Sequence, residues 1–259
     1  MRGIALHQDV LVFFSRVWQT TCTAVRSGEE GFVIDSPIYP DELEALPAVL
    51  AQAGFPVSGL LATHADWDHL LARGAFPEAS LGVGETTAAR LRGEPGAAQR
   101  ELRRFDEEHY VQDRPPLGLS AIQELPVPGA LGLGAAQELE LHPTGGHTAD
   151  GMAIVIPWAS VLVAGDYLSP VEIPMLSPGG SVSAYEATLH RLQALIARSE
   201  WIVPGHGAPL ARDAAARVLE QDAAYLAALR AGDGDARLPE GRRTGRQREV
   251  HLENVSRLS

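Results

Sequence analysis

Four residues that can ligate a metal ion lie close together in the stretch LLATHADWDHLL. His64, Asp66, Asp68 and His69 follow an apolar run, and each offers a nitrogen or oxygen donor. Two carboxylates buried beside two imidazoles would be costly without a cation to neutralise them. The cluster therefore indicates a metal site, and a solvated acidic loop is the alternative interpretation.

Further candidate ligands stand at turns or where predicted strands end. His147 lies in TGGHTADG, Asp166 ends the run SVLVAGD, and His206 ends the run EWIVPGH. Loops at the carboxyl ends of strands can project side chains without disturbing the core, so catalytic groups gather there. Together with the first cluster, these donors exceed what one tetrahedral zinc ion accepts. They predict two metal ions that share a carboxylate.

The elements that position these residues follow one plan in both halves of the chain: strand, aspartate, helix, strand, histidine. The predicted elements are strands at 30–35 and 57–64 around a helix at 41–53, and strands at 160–166 and 200–206 around a helix that begins at 183. Other predicted strands are 9–14, 81–83, 138–142 and 152–157, and other predicted helices are 86–92, 97–111 and 211–231. The plan predicts two similar α/β units packed face to face, with a loop at 115–134.

Composition excludes several classes of function. The formal charge of −12 predicts no binding to nucleic acid or to an anionic membrane surface, and it favours a small-molecule substrate. All 21 basic residues are arginines, so no lysine is available for Schiff-base chemistry. No apolar run approaches the ~20 residues that a membrane span requires. We expect a soluble, cytoplasmic protein, and its oligomeric state stays open.

In this order, the motifs resemble those of the metallo-β-lactamase superfamily of metallo-hydrolases. That family carries an aspartate after its second strand, then His-x-His-x-Asp-His, Gly-His-Thr, an aspartate after a late strand, and a final Gly-His. The corresponding segments here are Asp35, HADWDH, GGHT, AGD and PGHG. The resemblance covers residues 9–231 and implies an αββα sandwich, in which two mixed β-sheets are flanked by helices.

The resemblance also implies a set of ligands, transferred position by position. His64, Asp66 and His147 would hold the first metal ion, Asp68, His69 and His206 the second, and Asp166 would bridge them. Asp35 would orient loops or ligands by hydrogen bonds. Asp68 would in addition orient the attacking water and take up its proton.

Asp66 departs from the family pattern, because hydrolases of this family usually have histidine at that position. A third carboxylate removes one more positive charge from the metal pair and supplies a hard oxygen donor. We expect two divalent ions, with zinc as the first expectation and manganese or iron as the alternatives. Flavodiiron proteins, the redox branch of the superfamily, also have an acidic residue there, although theirs is glutamate.

The resemblance implies a binuclear hydrolase in which a metal-bridging hydroxide attacks an ester, thioester or lactone of a small molecule. The alternative is a diiron redox enzyme related to flavodiiron proteins, acting on dioxygen or nitric oxide. A non-catalytic scaffold would be expected to have lost ligands, and none is missing.

Two regions outside the motifs complete the predictions. The segment 97–118 lies where the family inserts helices over the site, so Phe105, His109 and Tyr110 are candidate pocket residues or pack this segment against the core. Trp67, inside the metal loop, either lines the pocket or shields the metals. The resemblance implies a metallo-β-lactamase-like domain at 1–231, and composition predicts that an arginine-rich surface segment follows at 232–259, mobile from 232 to 248.

Overall fold

The computed structural model describes residues 1–120, 122–234 and 236–258, and these form two β-sheets stacked between two layers of helices. The first sheet comprises, in spatial order, β1 Arg2–His7, β2 Val10–Phe14, β3 Thr21–Ser27, β4 Glu30–Asp35, β5 Gly59–Leu61, β6 Leu81–Gly84 and β7 Ile122–Leu125. The second comprises β13 Leu210–Ala211, β12 Trp201–Pro204, β11 Val161–Gly165, β10 Met152–Ile156, β9 Gln137–Pro143 and β8 Gly129–Leu133. Both sheets mix parallel and antiparallel pairs. The predicted αββα sandwich is confirmed.

Seven helices of the described residues cover the outer faces. They are α1 Pro40–Gln52, α2 Ala72–Ala75, α3 Glu85–Gly93, α4 Ala97–Glu108, α5 Val182–Ala197, α6 Arg212–Arg230 and α7 Gly245–Leu258. Apolar residues of α1 and α4 pack on the first sheet, and those of α5, α6 and α7 pack on the second. No helix of the described chain combines the length and apolar character that a membrane crossing requires.

Alternation along the strands divides the apolar residues between the layers. In β2, Val10, Val12 and Phe14 join the core between the two sheets, whereas Phe13 faces the helices of the first layer. Successive side chains of a strand point to opposite faces. Each buried strand therefore contributes apolar side chains both to the core between the sheets and to the core between its sheet and the helices. This arrangement fixes the sheets against each other, and with them the strand ends that carry the polar motifs.

The C-terminal segment differs from the predicted arginine-rich surface segment. The helix α7 packs on the second layer and buries Gln247, Val250 and Asn254, while Arg242 in the preceding loop is only 1% exposed. The Gln247 side-chain oxygen accepts a hydrogen bond from Ile173 N at 2.7 Å. The buried face of α7 is largely polar, and composition alone therefore indicated a surface segment. The domain boundary at residue 231 stays a prediction.

The loop that follows β11 is held by this C-terminal segment. Asn254 accepts a hydrogen bond from Leu176 N at 2.8 Å and donates one to Pro174 O at 2.7 Å. Arg242 donates to Glu172 O at 2.9 Å. The loop therefore has few free backbone groups, and its position depends on residues more than 60 positions later in the chain.

Candidate metal centre

The candidate ligands meet at one edge of the sandwich, where strand ends of both sheets lie side by side. His64 comes shortly after β5, Asp166 follows β11 and His206 follows β12. His147 lies in the connection from β9 to β10. Because β11 and β12 run parallel, their carboxyl ends open onto the same edge. The structure thus brings together residues that are up to 142 positions apart in the sequence (206 − 64).

Seven side chains form three overlapping groups of possible metal ligands among the described residues. We call His64, Asp66 and His147 the first ligand group, and Asp68, His69 and His206 the second ligand group; the third consists of His64, His69 and Asp166. Within each group, the donor atoms lie within 4.8 Å of one another. These seven are the residues predicted as ligands from the sequence.

Asp166 lies between the two ligand groups. Its Oδ2 is 3.4 Å from Nε2 of His147 and 3.4 Å from Nε2 of His206. Its Oδ1 is 3.2 Å from Nε2 of His69. One carboxylate therefore faces both groups at once, which is the position that a bridging ligand needs.

Two of the four imidazoles are held from outside the centre through Nδ1. In His147, Nδ1 donates to Met175 O at 2.9 Å; a carbonyl can only accept, so Nε2 of the neutral ring keeps its lone pair for a metal ion. In His64, Nδ1 is 3.0 Å from Thr63 Oγ1, which itself donates to Asp35 Oδ2. Since that hydroxyl proton is used, Thr63 accepts from His64.

The other two imidazoles have the same orientation. Nδ1 of His69 is 3.1 Å from Asp35 Oδ2, and Nδ1 of His206 is 3.2 Å from Thr20 Oγ1. Asp35 accepts hydrogen bonds from Thr63 N at 2.8 Å and from Thr63 Oγ1 at 3.0 Å, so it supports the loop that carries His64, and it lies within ion-pair distance of His69. Outer contacts of this kind fix the ring and the tautomer of metal-binding histidines.

The donor atoms that face the centre fit divalent metal ions. Nε2 of His64, Nε2 of His69 and Oδ1 of Asp166 are among the buried atoms of the described residues that have no hydrogen-bond partner. Buried polar atoms are nearly always paired in folded proteins. Nitrogen and carboxylate donors that converge and lack partners match the ligand preferences of zinc and of other first-row divalent metals.

The metal-free centre has strongly shifted acid–base equilibria. Burial would lower the pKa of His147, but the carboxylates of Asp66 and Asp166 outweigh burial and raise that pKa to about 9. Burial likewise opposes the charge of His206, yet Glu172, Asp166 and Asp68 raise its pKa to about 10. The carboxylates and imidazoles therefore stabilise one another as ion pairs when no metal is bound.

We expect the metal-free protein to release protons when it binds zinc. His147 and His206 are protonated at neutral pH, and a ligand imidazole must be neutral, so zinc displaces their protons. Zinc affinity should therefore rise with pH between 7 and 10. Calorimetry at pH 7.5 in two buffers of different ionisation enthalpy measures the released protons. An affinity that does not change between pH 7 and 9 would contradict this expectation.

The same shifts predict how the stability of the metal-free protein depends on pH. The pKa values of His147 and His206 in the fold lie above the value of about 6.5 for an unfolded chain. Their stabilising contribution is complete below pH 6.5 and is lost as the pH rises through 9 to 10. Thermal denaturation of metal-free protein should therefore show a lower Tm at pH 9.5 than at pH 7.

Asp66 divides its two oxygens between the centre and a helix. Its Oδ2 is 3.2 Å from Nε2 of His147, and its Oδ1 is 2.8 Å from Nη2 of Arg90 on α3. Burial opposes the ionisation of Asp66, but hydrogen bonds to His147 and His64 outweigh it and hold the pKa of the carboxyl well below its usual range. Asp66 is therefore a carboxylate at neutral pH.

A cavity of about 260 Å³ opens onto the centre. Of the predicted pocket residues, Trp67 lines it, whereas Phe105, His109 and Tyr110 do not. Phe105 is buried and stacks on His109 at a ring distance of 4.0 Å, and Tyr110 is 89% exposed. Because α4 places the ring of Phe105 4.8 Å from that of Trp67, Phe105 supports the cavity wall from behind.

Several residues that line the cavity were not found from the sequence. They are Trp18, Arg90, Glu101, Glu172, Met175, Ser177, Pro178 and Arg246. Trp18 lies in the β2–β3 connection, 5.7 Å from the ring of Trp67, and is 40% exposed. These residues belong to no motif. An acidic residue at position 66 implies a cation nearby, but it does not indicate which arginine.

Comparisons with known proteins show the family and the fold of this chain. The family model described as the metallo-beta-lactamase superfamily matches residues 15–231. A metallo-beta-lactamase family protein from Thermus thermophilus superposes with a TM-score of 0.67 at 23% identity, over 88% of this chain and 83% of that one. A metallo-beta-lactamase from Pontibacter korlensis superposes with a TM-score of 0.60 at 18% identity, over 85% and 97%. At these identities, the structural likeness shows the fold alone.

Proposed function

Because this chain belongs to the metallo-beta-lactamase superfamily, we propose that it is a hydrolase with two divalent metal ions that cleaves an ester, thioester or lactone of a small molecule. Family membership and the candidate ligands support a metal-dependent hydrolase in general. The two-ion centre, zinc as its metal and the class of substrate are our proposals.

The position of Asp166 carries the proposal of two ions. Its carboxylate contacts His147 of the first ligand group and His206 of the second at the same distance of 3.4 Å. One tetrahedral ion uses four ligands at most, whereas seven donors converge here. A carboxylate between two groups of three donors is the arrangement that two ions require.

The chemistry proposed for the centre divides between the ions and Asp68. When bound, divalent ions lower the pKa of water and stabilise negative charge on a carbonyl oxygen. Asp68 is buried at the wall of the cavity, and its Oδ2 is 3.4 Å from Nε2 of His206. We assign Asp68 to orienting the attacking water and accepting its proton, because it is a carboxylate at the surface where substrate would arrive.

The volume and the lining residues of the cavity support the proposal of a small substrate. Its volume of about 260 Å³ lies just below the ~300–1,000 Å³ typical of sites for drug-sized ligands. Trp18 and Trp67 supply aromatic surface, while Asp66, Asp68 and Asp166 lie at the metal end. A small acyl compound can place its apolar part on the indoles and its carbonyl at the metal end.

Elemental analysis of protein purified without added metal, followed by assays of esters, thioesters, lactones and a β-lactam, tests the proposal. We expect two ions per chain and hydrolysis of at least one of the first three classes. Asp166→Ala should reduce the metal content below two, whereas His142→Ala, which changes a half-exposed imidazole paired with Glu140, should not.

Other outcomes would contradict the proposal in distinct ways. One ion per chain in a metal-saturated preparation would exclude the binuclear centre. Hydrolysis of the β-lactam alone would exclude the proposed substrate class. Two iron ions with reductant-dependent consumption of dioxygen or nitric oxide, and without hydrolysis, would instead identify the redox alternative.

A further inference from the structure

Arg90 on α3 contacts the residue at which this chain departs from its family. Nη2 of Arg90 is 2.8 Å from Oδ1 of Asp66, and Nη1 is 2.9 Å from Oδ1 of Asp150. The arginine side chain is 18% exposed, so these contacts are largely shielded from water. Ion pairs in such surroundings are stronger than those on the surface.

The two oxygens of the Asp66 carboxylate have different partners. Oδ2 faces the first ligand group, at 3.2 Å from Nε2 of His147 and 3.6 Å from Nε2 of His64. Oδ1 is occupied by the Arg90 guanidinium on the opposite side. Only one oxygen is therefore available to a metal ion, as an imidazole at this position would offer only one nitrogen.

Asp150 joins this contact to the loop that carries His147. Its side chain is 1% exposed, and its Oδ2 accepts a hydrogen bond from Ala65 N at 2.9 Å. Arg90 and Asp150 thus connect the two loops that supply the first ligand group. The guanidinium is shared among Asp66, Asp150 and, at 3.9 Å, the exposed Glu94, so it offsets only part of the charge that Asp66 adds.

We propose that Arg90 is a positioning residue that fixes Asp66 as a one-oxygen ligand and offsets part of its charge, so that Asp66 held by Arg90 takes the place of a histidine ligand. The inference rests on the metal centre of the proposed function. It weakens the expectation from the sequence that Asp66 shifts the centre toward manganese or iron, because Arg90 counteracts the added negative charge.

The test is a double-mutant cycle of Asp66→His and Arg90→Met, followed by zinc binding. The measured quantity is the product of the two zinc dissociation constants, obtained by competition with a chromophoric chelator. With Asp66 present, Arg90→Met should raise this product by about 10- to 100-fold, because an outer partner of a ligand is lost. With histidine at position 66, the same change should alter the product much less, because no ligand oxygen then contacts Arg90 and its remaining close partner is Asp150.

Two further variants make the result specific. Arg92→Met removes an exposed arginine of the same helix, which pairs with Glu124, and should leave zinc affinity unchanged. Arg90→Lys should recover only part of the affinity in the Asp66 background, because one ammonium group cannot span both carboxylates in a fork. If Arg90→Met does not fold, the lysine variant is carried through the cycle in its place.

The outcomes separate this inference from the proposed function. The inference holds if the substitution at position 90 multiplies the product of the zinc dissociation constants by a factor at least five times larger with aspartate at position 66 than with histidine there. A smaller difference, or one of opposite sign, overturns it. Wild-type protein that binds fewer than two zinc ions would instead overturn the binuclear centre, whatever the cycle shows.

Discussion

Asp68→Asn is expected to reduce kcat by about 10²- to 10⁴-fold while the protein remains folded. The lower value corresponds to the loss of general-base catalysis alone, since an amide cannot take up the proton of the attacking water. Asparagine has the size of aspartate, and the backbone carbonyl of Asp68 keeps its hydrogen bond from Ser36 Oγ at 2.9 Å. The loop should therefore keep its shape.

The measurement must separate catalysis from metal binding, because Asp68 belongs to the second ligand group. Rates are compared at equal metal content, determined on the same samples by elemental analysis. Asp41→Asn, which alters a carboxylate that is 66% exposed and paired with Arg16, is the matched control and should retain wild-type rates. If Asp68→Asn kept wild-type rates at equal metal content, the residue would have no part in the mechanism.

At pH 8, Arg242→Met is expected to lower the free energy of unfolding by about 3–5 kcal/mol, the cost of leaving one partner of a buried ion pair alone. Arg242 contacts Asp222 at 2.5 Å, and the two side chains are 1% and 2% exposed. The same guanidinium donates to Glu172 O and to Gln221. Its loss should also loosen the loop that follows β11.

Urea denaturation of wild type and variant measures this effect. Arg243→Met is the adjacent control: Arg243 is exposed and donates only to Leu238 O in the described structure, so its loss should cost less than about 0.5 kcal/mol. Adding Asp222→Asn to Arg242→Met should recover most of the stability, because both charges are then absent. A loss below 1 kcal/mol in the single variant would show that the C-terminal segment is not anchored by this pair.

The destabilisation caused by Arg242→Met should increase with pH. Burial raises the pKa of Asp222 to about 7 even beside Arg242, and removal of the arginine raises it further. A carboxyl group whose pKa is raised in the fold destabilises the folded protein increasingly as the pH rises above about 3.9, its pKa in the unfolded chain. The variant should consequently be destabilised less at pH 5 than at pH 8.

The strands that the sequence pattern did not predict are mostly sheet edges. Among the described elements, β1 and β7 are the edges of the first sheet, and β8 and β13 are those of the second. An edge strand pairs with one neighbour only and is largely exposed, so it needs no apolar alternation. The strand β1 is exposed at its first four positions. The central strand β3 was also not predicted from the sequence.

The sequence by itself determined the donors of the candidate centre and their order, because coordination chemistry depends on residue type. His64, Asp166 and His206 each come at or shortly after the end of an apolar strand, a pattern that is local and can be seen without coordinates. The same local patterns predicted two α/β units packed face to face, and the resemblance to the family implied the αββα sandwich.

Only the tertiary structure decided how the donors are held. Arg90 lies 24 positions after Asp66 (90 − 66) on a separate helix, and nothing in the local pattern distinguishes it from Arg92. Arg242 is likewise buried against Asp222, within a stretch whose composition indicates a surface. The strength of an ion pair depends on distance and on exclusion of water, and both are set by the packing of segments remote in the chain. The sequence therefore identified the chemistry, whereas the fold assigned the partners that tune it.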